Sequence, residues 1–262
     1  MAETQSVQLP SFDVTDQVVL VTGASSGIGR HFAEVLALAG AKVALAARRI
    51  ELLAEAAHAI TTHGGQCITI ACDVTKQDDI KLAVAAAEGR LGPLSILVNN
   101  AGVVVSKPLF EHTEEDWDHV MDTNLKGAWL AAREFAHHLV EVKRPGRIVN
   151  ISSVLASRTI GRVPAYCAAK AGLTHLTQVL AMELARYGIL VNALAPGYVE
   201  TDFNRAFFQT EAGKALIARI PLKRLAHTDD LDGALTFLCS PASAYVTGAV
   251  IAVDGGHGVA AI

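Results

Sequence analysis

Tyr166 and Lys170 stand four residues apart in the helix-forming stretch Tyr166-Cys167-Ala168-Ala169-Lys170. On a helix that spacing brings both side chains to one face. Tyrosine is a poor acid or base near neutrality, since its phenol titrates near pH ~10. A neighbouring ammonium favours the phenolate and brings it toward a useful range, so the pair reads as a general acid/base. Alone the spacing is a weak signal, because exposed pairs of this kind arise on many helices. Its company strengthens it. Ser153 lies thirteen residues upstream, closing the apolar run Arg147 to Ser152. Asn124 sits inside a helical stretch with Gly127 close behind, which predicts a local distortion that frees a backbone group.

A second chemical signal lies nearer the start. The apolar run Val18-Val19-Leu20-Val21 leads into Thr22-Gly23-Ala24-Ser25-Ser26-Gly27-Ile28-Gly29, and a helical pattern follows. Three glycines let the backbone turn sharply off a strand and leave no side chain between the main chain and a pyrophosphate. The helix then aims its free N–H groups and positive dipole end at those phosphates. Gly23-Ala24-Ser25-Ser26-Gly27 also fits the Gly-x-Ser-x-Gly elbow of hydrolases. That reading expects earlier strands and a later Asp and His pair, yet barely one strand precedes the motif and no such pair stands out. Ser25 is therefore read as a phosphate-loop contact.

These residues need a frame. Strand-like runs fall near 17–22, 42–47, 66–72, 94–98, 146–152, 188–195 and 249–253, and helical patterns near 27–39, 49–63, 76–89, 113–140, 164–187 and 228–239. Continuous runs such as Lys42 to Ala47 and Ile189 to Leu194 suit strands buried on both faces. The alternation predicts an α/β fold with a parallel sheet of seven strands flanked by helices on both faces. One domain over 1–262 is expected, with no linker or repeat. Between Gly197 and about Leu225 the connection is longer than usual. It carries Phe203, Phe207, Phe208, Leu216, Ile217 and Ile220, and reads as a mobile substrate lid or as a helical pair buried in a subunit contact.

Composition narrows the partners. Among 262 residues, 51% are hydrophobic, enough for a substantial core, and the net charge of −4 gives no footprint for nucleic acid or an anionic membrane. No apolar run is long enough to span a bilayer, and the polar stretch Met1 to Pro10 is no signal peptide. A cytoplasmic location is therefore expected. Cys67, Cys72, Cys167 and Cys239 lack metal-site spacing and read as buried reduced thiols, and the ten histidines form no metal motif. No metal is expected.

The order and spacing of Thr22 to Gly29, Asn99 to Gly102, Asn124, Ser153, Tyr166, Lys170, Pro196-Gly197 and Thr201 resemble the short-chain dehydrogenase/reductase family. The resemblance runs essentially the whole length, to Asp254-Gly255-Gly256, and is to the NADP-preferring carbonyl reductase and alcohol dehydrogenase type. It implies a Rossmann-type doubly wound sheet and hydride transfer between nicotinamide C4 and a carbonyl or carbinol carbon. Tyr166 would be the proton donor in reduction and the base in oxidation, and Ser153 would hold the substrate oxygen. Lys170 would bind the nicotinamide ribose and lower the pKa of Tyr166, while Asn124 would position water for a proton relay. Gly23, Ser25, Ser26, Gly27, Ile28 and Gly29 would cradle the pyrophosphate. Asp73, with Val74 beside it, would meet the adenine, and Asn99, Ala101 and Gly102 would line the cleft. Pro196, Gly197, the main chain near Val199 and the Thr201 hydroxyl would hold the carboxamide.

The second strand ends Ala47-Arg48-Arg49, where an NAD site would offer a carboxylate to the ribose hydroxyls. A guanidinium at Arg48 or Arg49 can instead bind a 2′-phosphate. Two cations at a helix start also oppose its dipole unless an anion sits nearby. NADP(H) is favoured over NAD(H), against an alternative in which both arginines are solvated and tied to Glu51 or Glu55.

The expected pocket wall includes Val103, Val104, Val105, Val154, Leu155, Tyr198, Phe203 and Phe207, which favours a ketone or secondary alcohol with an apolar body. Arg158 and Arg162 could meet a substrate anion or simply be solvated. The alternatives are a 3-oxoacyl-carrier-protein reductase, for which Arg144 could help dock the carrier, and an NAD-dependent sugar or polyol dehydrogenase. A dinucleotide-sensing scaffold without catalysis is the alternative of a different class. By resemblance, the helices at 113–140 and 164–187, with the tail Val250 to Ile262, would join four copies into a homotetramer.

Overall fold

A computed structural model describes residues 10–201 and 204–260. Seven strands form one parallel sheet: β1 (Val18–Thr22), β2 (Lys42–Ala47), β3 (Gln66–Ala71), β4 (Leu94–Asn99), β5 (Gly146–Ile151), β6 (Ile189–Pro196) and β7 (Val250–Val253). Their order is β3-β2-β1-β4-β5-β6-β7. From β1 the chain moves outward to β3, then returns to the other side of β1 with β4. That reversal opens a crevice at the carboxyl ends of β1 and β4, the usual ligand position in such sheets.

Helices cover both faces. On one lie α1 (Gly27–Leu38) and α2 (Ile50–Thr62); on the other lies α3 (Gln77–Leu91). Side chains alternate along each strand, so Val19 and Val21 of β1 join Phe32, Leu36, Leu53 and Ile60 in one core layer. Val18 and Leu20 join Ile80, Leu97, Phe135 and Leu139 in the other. Both layers are apolar, which is why the strands read as unbroken hydrophobic runs.

The expected helix at 113–140 is two helices, α4 (Glu114–Met121) and α5 (Gly127–Glu141), joined by a π-helical turn over Asp122–Lys126. Thr113 starts α4 with a reciprocal capping bond to Asp116. The distortion expected around Asn124 is this turn. α6 (Pro164–Leu184) is followed by a 3-10 turn, Ala185–Tyr187, which accounts for the longer stretch expected there. The connection after β6 holds two short helices, α7 (Arg205–Phe208) and α8 (Glu211–Ile217), before α9 (Asp232–Cys239) packs on the sheet. Among the described residues no helix is long and apolar enough to cross a membrane. The four cysteines are free thiols; Cys72 and Cys239 are buried as expected, whereas Cys67 and Cys167 are only partly so.

Candidate active site

Ser153 leaves the end of β5 in an extended conformation, and its hydroxyl accepts from the Leu155 N–H at 3.1 Å. Pro164 fits the first turn of α6, where its missing N–H costs nothing. This start places Tyr166 in the first turn and Lys170 one turn on, both facing β5. The Ser153 hydroxyl lies close enough to the Tyr166 phenol to pull its pKa down. Lys170 is 4% exposed, its Nζ donates to the Ile151 carbonyl at 2.7 Å and lies 5.6 Å from the Tyr166 ring centre. Burial pushes the Lys170 ammonium down from 10.5 to about 8. Burial pushes the Tyr166 phenol above its ordinary value, with the Ser153 hydroxyl opposing and Cys167 adding to the rise. The downward pull expected from Lys170 is not among the influences on this phenol.

Asn124 is wholly buried, and its side chain forms a two-bond clamp on Val103. Its Oδ1 accepts from the Val103 N–H at 2.7 Å and its Nδ2 donates to the Val103 carbonyl at 2.8 Å. These two bonds fix the side chain against Val103 and leave one N–H and one lone pair of the amide over. What the π-turn can offer a water is main chain released from regular helical pairing.

Beside this group lies a cleft of about 320 Å³ at the sheet crevice, lined by Gly23, Ser26, Ile28, Gly29, Arg48, Arg49, Asp73, Val74, Ala101, Gly102 and Thr201 among others. Its floor is built for close backbone approach. Gly23 has φ +67°, and a Cβ there would stand 2.7 Å from Ala101 Cα. Gly27, at φ +55°, faces open space. Ser26 precedes α1 in extended conformation without capping the helix, which leaves the first N–H groups for an anion. The residues present fit a dinucleotide. Ser25 is buried, its hydroxyl accepts from Arg49 at 3.1 Å, and among the described residues no histidine is bonded to it, so the nucleophile reading fails.

Arg49 also donates to the Ser26 hydroxyl at 2.8 Å. Arg48 lies close enough to Asp73 to affect its carboxyl. Burial raises that carboxyl, but bonds from the Thr75 N–H and hydroxyl, with Arg48 and Lys76 nearby, hold it below its ordinary value. Among the described residues neither arginine pairs with Glu51 or Glu55.

Asn99 departs from expectation. Its Nδ2 donates to the Ala128 carbonyl and to Asn150 Oδ1, both at 3.0 Å, so the side chain turns toward α5 and away from the cleft. Asn100, which the sequence reading did not single out, lines the cleft instead. Its Nδ2 donates to the Thr22 carbonyl at 3.1 Å, and the Thr22 hydroxyl accepts from the N–H groups of Asn100 and Ala101. A polar residue just past a buried strand and opposite the glycine turn was the available signal. Asn204 was also missed: it accepts from the Thr201 N–H at 2.9 Å and donates to the Val199 carbonyl at 2.8 Å. Pro196 ends β6 and Gly197 follows it, where a Cβ would stand 2.7 Å from Asp254 Cα.

Val103, Val105, Leu125 and Tyr166 pack against one small core of Val120, Ala165 and Ala169, while Val104 is 41% exposed. Val154 is buried and Leu155 half-buried. An aromatic row runs from Phe207 through Phe208 and Tyr198 to His257, with ring centres 5.2, 5.8 and 5.4 Å apart. Phe203 lies outside the described residues. Arg158 is committed elsewhere than to a substrate: its Nε donates to the Gly258 carbonyl at 3.1 Å, and its Nη2 to the carbonyls of His257 and Ala260. Arg162 has φ +75°, and its carbonyl accepts from the Lys107 N–H at 3.0 Å. Arg144 is bonded to Glu88 at 2.7 Å.

Comparison with known proteins adds an independent line. A family model described as enoyl-(acyl carrier protein) reductase matches residues 23–258. Gluconate 5-dehydrogenase of Gluconobacter oxydans is 39% identical over 246 residues, covering 94% of this chain and 96% of the relative. The 3-oxoacyl-(acyl-carrier-protein) reductase of Vibrio cholerae is 37% identical over 240 residues, covering 92% and 96%. The crystal structure of a gluconate 5-dehydrogenase from Burkholderia cenocepacia, in complex with NADP and tartrate, superposes with a TM-score of 0.90 at 36% identity, covering 95% of this chain and 98% of that one.

Proposed function

Because the chain belongs to the short-chain dehydrogenase/reductase family, and is an NAD(P)-dependent enzyme acting on CH–OH or C=O groups, we propose that it uses NADP(H) to interconvert a ketone and a secondary alcohol. The observation that carries the reading is the Ser153 hydroxyl close to the Tyr166 phenol, with Lys170 buried beside that ring and a glycine-floored cleft in the same structure.

When bound, the nicotinamide supplies or accepts the hydride. Ser153 holds the substrate oxygen, and Tyr166 gives that oxygen its proton in reduction or takes it in oxidation. A phenol raised by burial is fully protonated at neutral pH, the form reduction requires. Lys170, anchored on the Ile151 carbonyl, presents its remaining N–H donors to the ribose hydroxyls and to the field around Tyr166. Gly23 and Gly29, with the open start of α1, hold the pyrophosphate. Arg48 and Arg49 take the 2′-phosphate, in a place where an acid would repel it. Support for NADP(H) over NAD(H) comes from that charge and from the bound NADP of the Burkholderia relative.

For the substrate, Val103, Val105, Leu155, Tyr198 and Phe207 favour a body with an apolar face, under a lid that includes α7 and α8. A second reading, a sugar acid bearing the carbonyl, is favoured by the gluconate dehydrogenases among the relatives. Carrier-protein docking is less favoured, since Arg144 is engaged by Glu88. Trp117, Trp129 and Met182 stand exposed on α4, α5 and α6 and would be covered in a homotetramer.

The test is a panel of ketones and alcohols assayed with NADPH and NADH, for the wild type and Tyr166→Phe. Loss of the phenol should lower kcat by roughly 10²–10⁴-fold while NADPH binding persists. Full turnover by the phenylalanine variant would overturn the assigned chemistry, and turnover of no ketone or alcohol would leave the scaffold reading.

A further inference from the structure

We propose that His257 recognises the substrate, its Nδ1 binding a hydroxyl or carboxylate oxygen carried on the substrate chain away from the reacting carbon. The inference rests on the oxidoreductase reading above and adds a polar contact to an otherwise apolar wall.

The starting observation is that His257 Nδ1 is buried and, among the described residues, has no hydrogen-bond partner. Folded proteins rarely leave such an atom unpaired, and one that persists calls for a ligand or a functional reason. Two further observations place it beside the reacting group. The His257 ring stands edge-on to Tyr198, 5.4 Å between centres, and Tyr198 lies within electrostatic reach of Tyr166. The next residue, Gly258, lies against Val154, since a Cβ built on it would stand 3.9 Å from Val154 Cγ2. Val154 directly follows Ser153. His257 is therefore linked to both groups that would hold the reacting oxygen, through Tyr198 to Tyr166 and through Gly258 and Val154 to Ser153.

The segment carrying this histidine is fastened, as a recognition group requires. Asp254 accepts from the Gly256 N–H at 2.9 Å and from the Gly258 N–H at 2.6 Å. From the opposite side Arg158 grips the carbonyls of His257, Gly258 and Ala260. Arg158 thus acts on the substrate indirectly, as a positioning residue for the 257–260 turn. This is the role left to it once direct contact with a substrate anion is set aside.

A purely packing role for the ring is the rival. Phenylalanine keeps the edge-on contact with Tyr198 but has no Nδ1, whereas asparagine restores a polar atom near the Nδ1 position. Loss of an unpaired buried nitrogen removes a source of instability, so His257→Phe should fold at least as well as the wild type. The experiment measures kcat and KM with NADPH for levulinate and 5-keto-D-gluconate, and for 2-pentanone and 2-hexanone, which carry no second oxygen. His257→Phe should raise KM roughly tenfold for the oxygenated ketones that the wild type reduces, with kcat and the plain ketones unchanged. His257→Asn should restore most of the loss, and Arg158→Ala should reproduce the same selective rise in KM. An equal change for both classes, no change, or a wild type that prefers plain ketones overturns the inference while the oxidoreductase reading stands. If no ketone is reduced at all, both fall together.

Discussion

Replacing Lys170 with methionine should make folding stability less dependent on alkaline pH, by an amount that the burial of this one ammonium sets. Lys170 is 4% exposed, donates to the Ile151 carbonyl, and among the described residues pairs with no carboxylate. Its pKa falls from 10.5 to about 8 through desolvation alone. Between those values the unfolded chain carries a proton that the folded chain lacks, so stability rises with pH there. One proton over about two pH units is worth about 3 kcal/mol. Below pH 8 both states are protonated, and the folded state bears the full cost of the buried charge.

Methionine fills a similar volume and cannot titrate. The quantity to follow is the wild-type unfolding free energy minus that of Lys170→Met, measured in urea without cofactor at matched protein concentration. Thiols and phenols common to both proteins cancel in the difference. It should be flat up to about pH 7.5 and climb by about 3 kcal/mol by pH 10. A flat difference across the whole range would mean that Lys170 titrates as in the unfolded chain, and a falling one that its ammonium is stabilised. Either result refutes the argument from burial. The methionine variant should also lose activity, as expected where function retains a destabilising group.

Arg48→Ala and Arg49→Ala should each raise KM for NADPH by roughly 10–100-fold, the worth of a charge-assisted contact to phosphate, and leave KM for NADH unchanged; equal effects on both cofactors would remove the 2′-phosphate reading. Asn124→Ala strips both bonds from half-buried Val103 and should cost about 2 kcal/mol in denaturant unfolding, whereas a cost near zero would mean that water replaces the side chain.

Much of the frame was legible because strands buried on both faces announce themselves. β2 falls on Lys42–Ala47 as expected, and the other strands differ by a residue at their ends. The break in the helix at 113–140 was signalled by Asn124 and Gly127, although its form, a π-helical turn, was not. Asn99 shows a reading that could have been better. Leu97 faces the layer containing Phe135 and Leu139, so strand alternation sends Asn99, two residues on, to the same side, toward α5. Arg158 could not have been read this way. Its partners lie about a hundred residues later, and nothing local marks them. The protonated state of Tyr166 was equally hidden, because four-residue spacing supplies a cation but says nothing about desolvation.

Among the described residues, three cations around the site are held without a carboxylate. Arg30, Lys107, Arg144 and Arg224 each pair with a carboxylate, from Glu34, Asp116, Glu88 and Asp230 respectively. Lys170, Arg158 and Arg49 are instead held by neutral oxygens: the Ile151 carbonyl, the carbonyls of the 257–260 turn, and the hydroxyls of Ser25 and Ser26. A neutral oxygen orients a cation without cancelling its charge, so each remains able to attract an anion or an electron-rich oxygen. An acid in the same place would compete with the incoming group. The charge left uncancelled at Arg49 is what a phosphate can neutralise, and the one at Lys170 is what a ribose hydroxyl and the Tyr166 phenolate can share. Binding should then relieve a cost already present in the free protein, which makes cofactor-dependent stabilisation a direct consequence of how these cations are held.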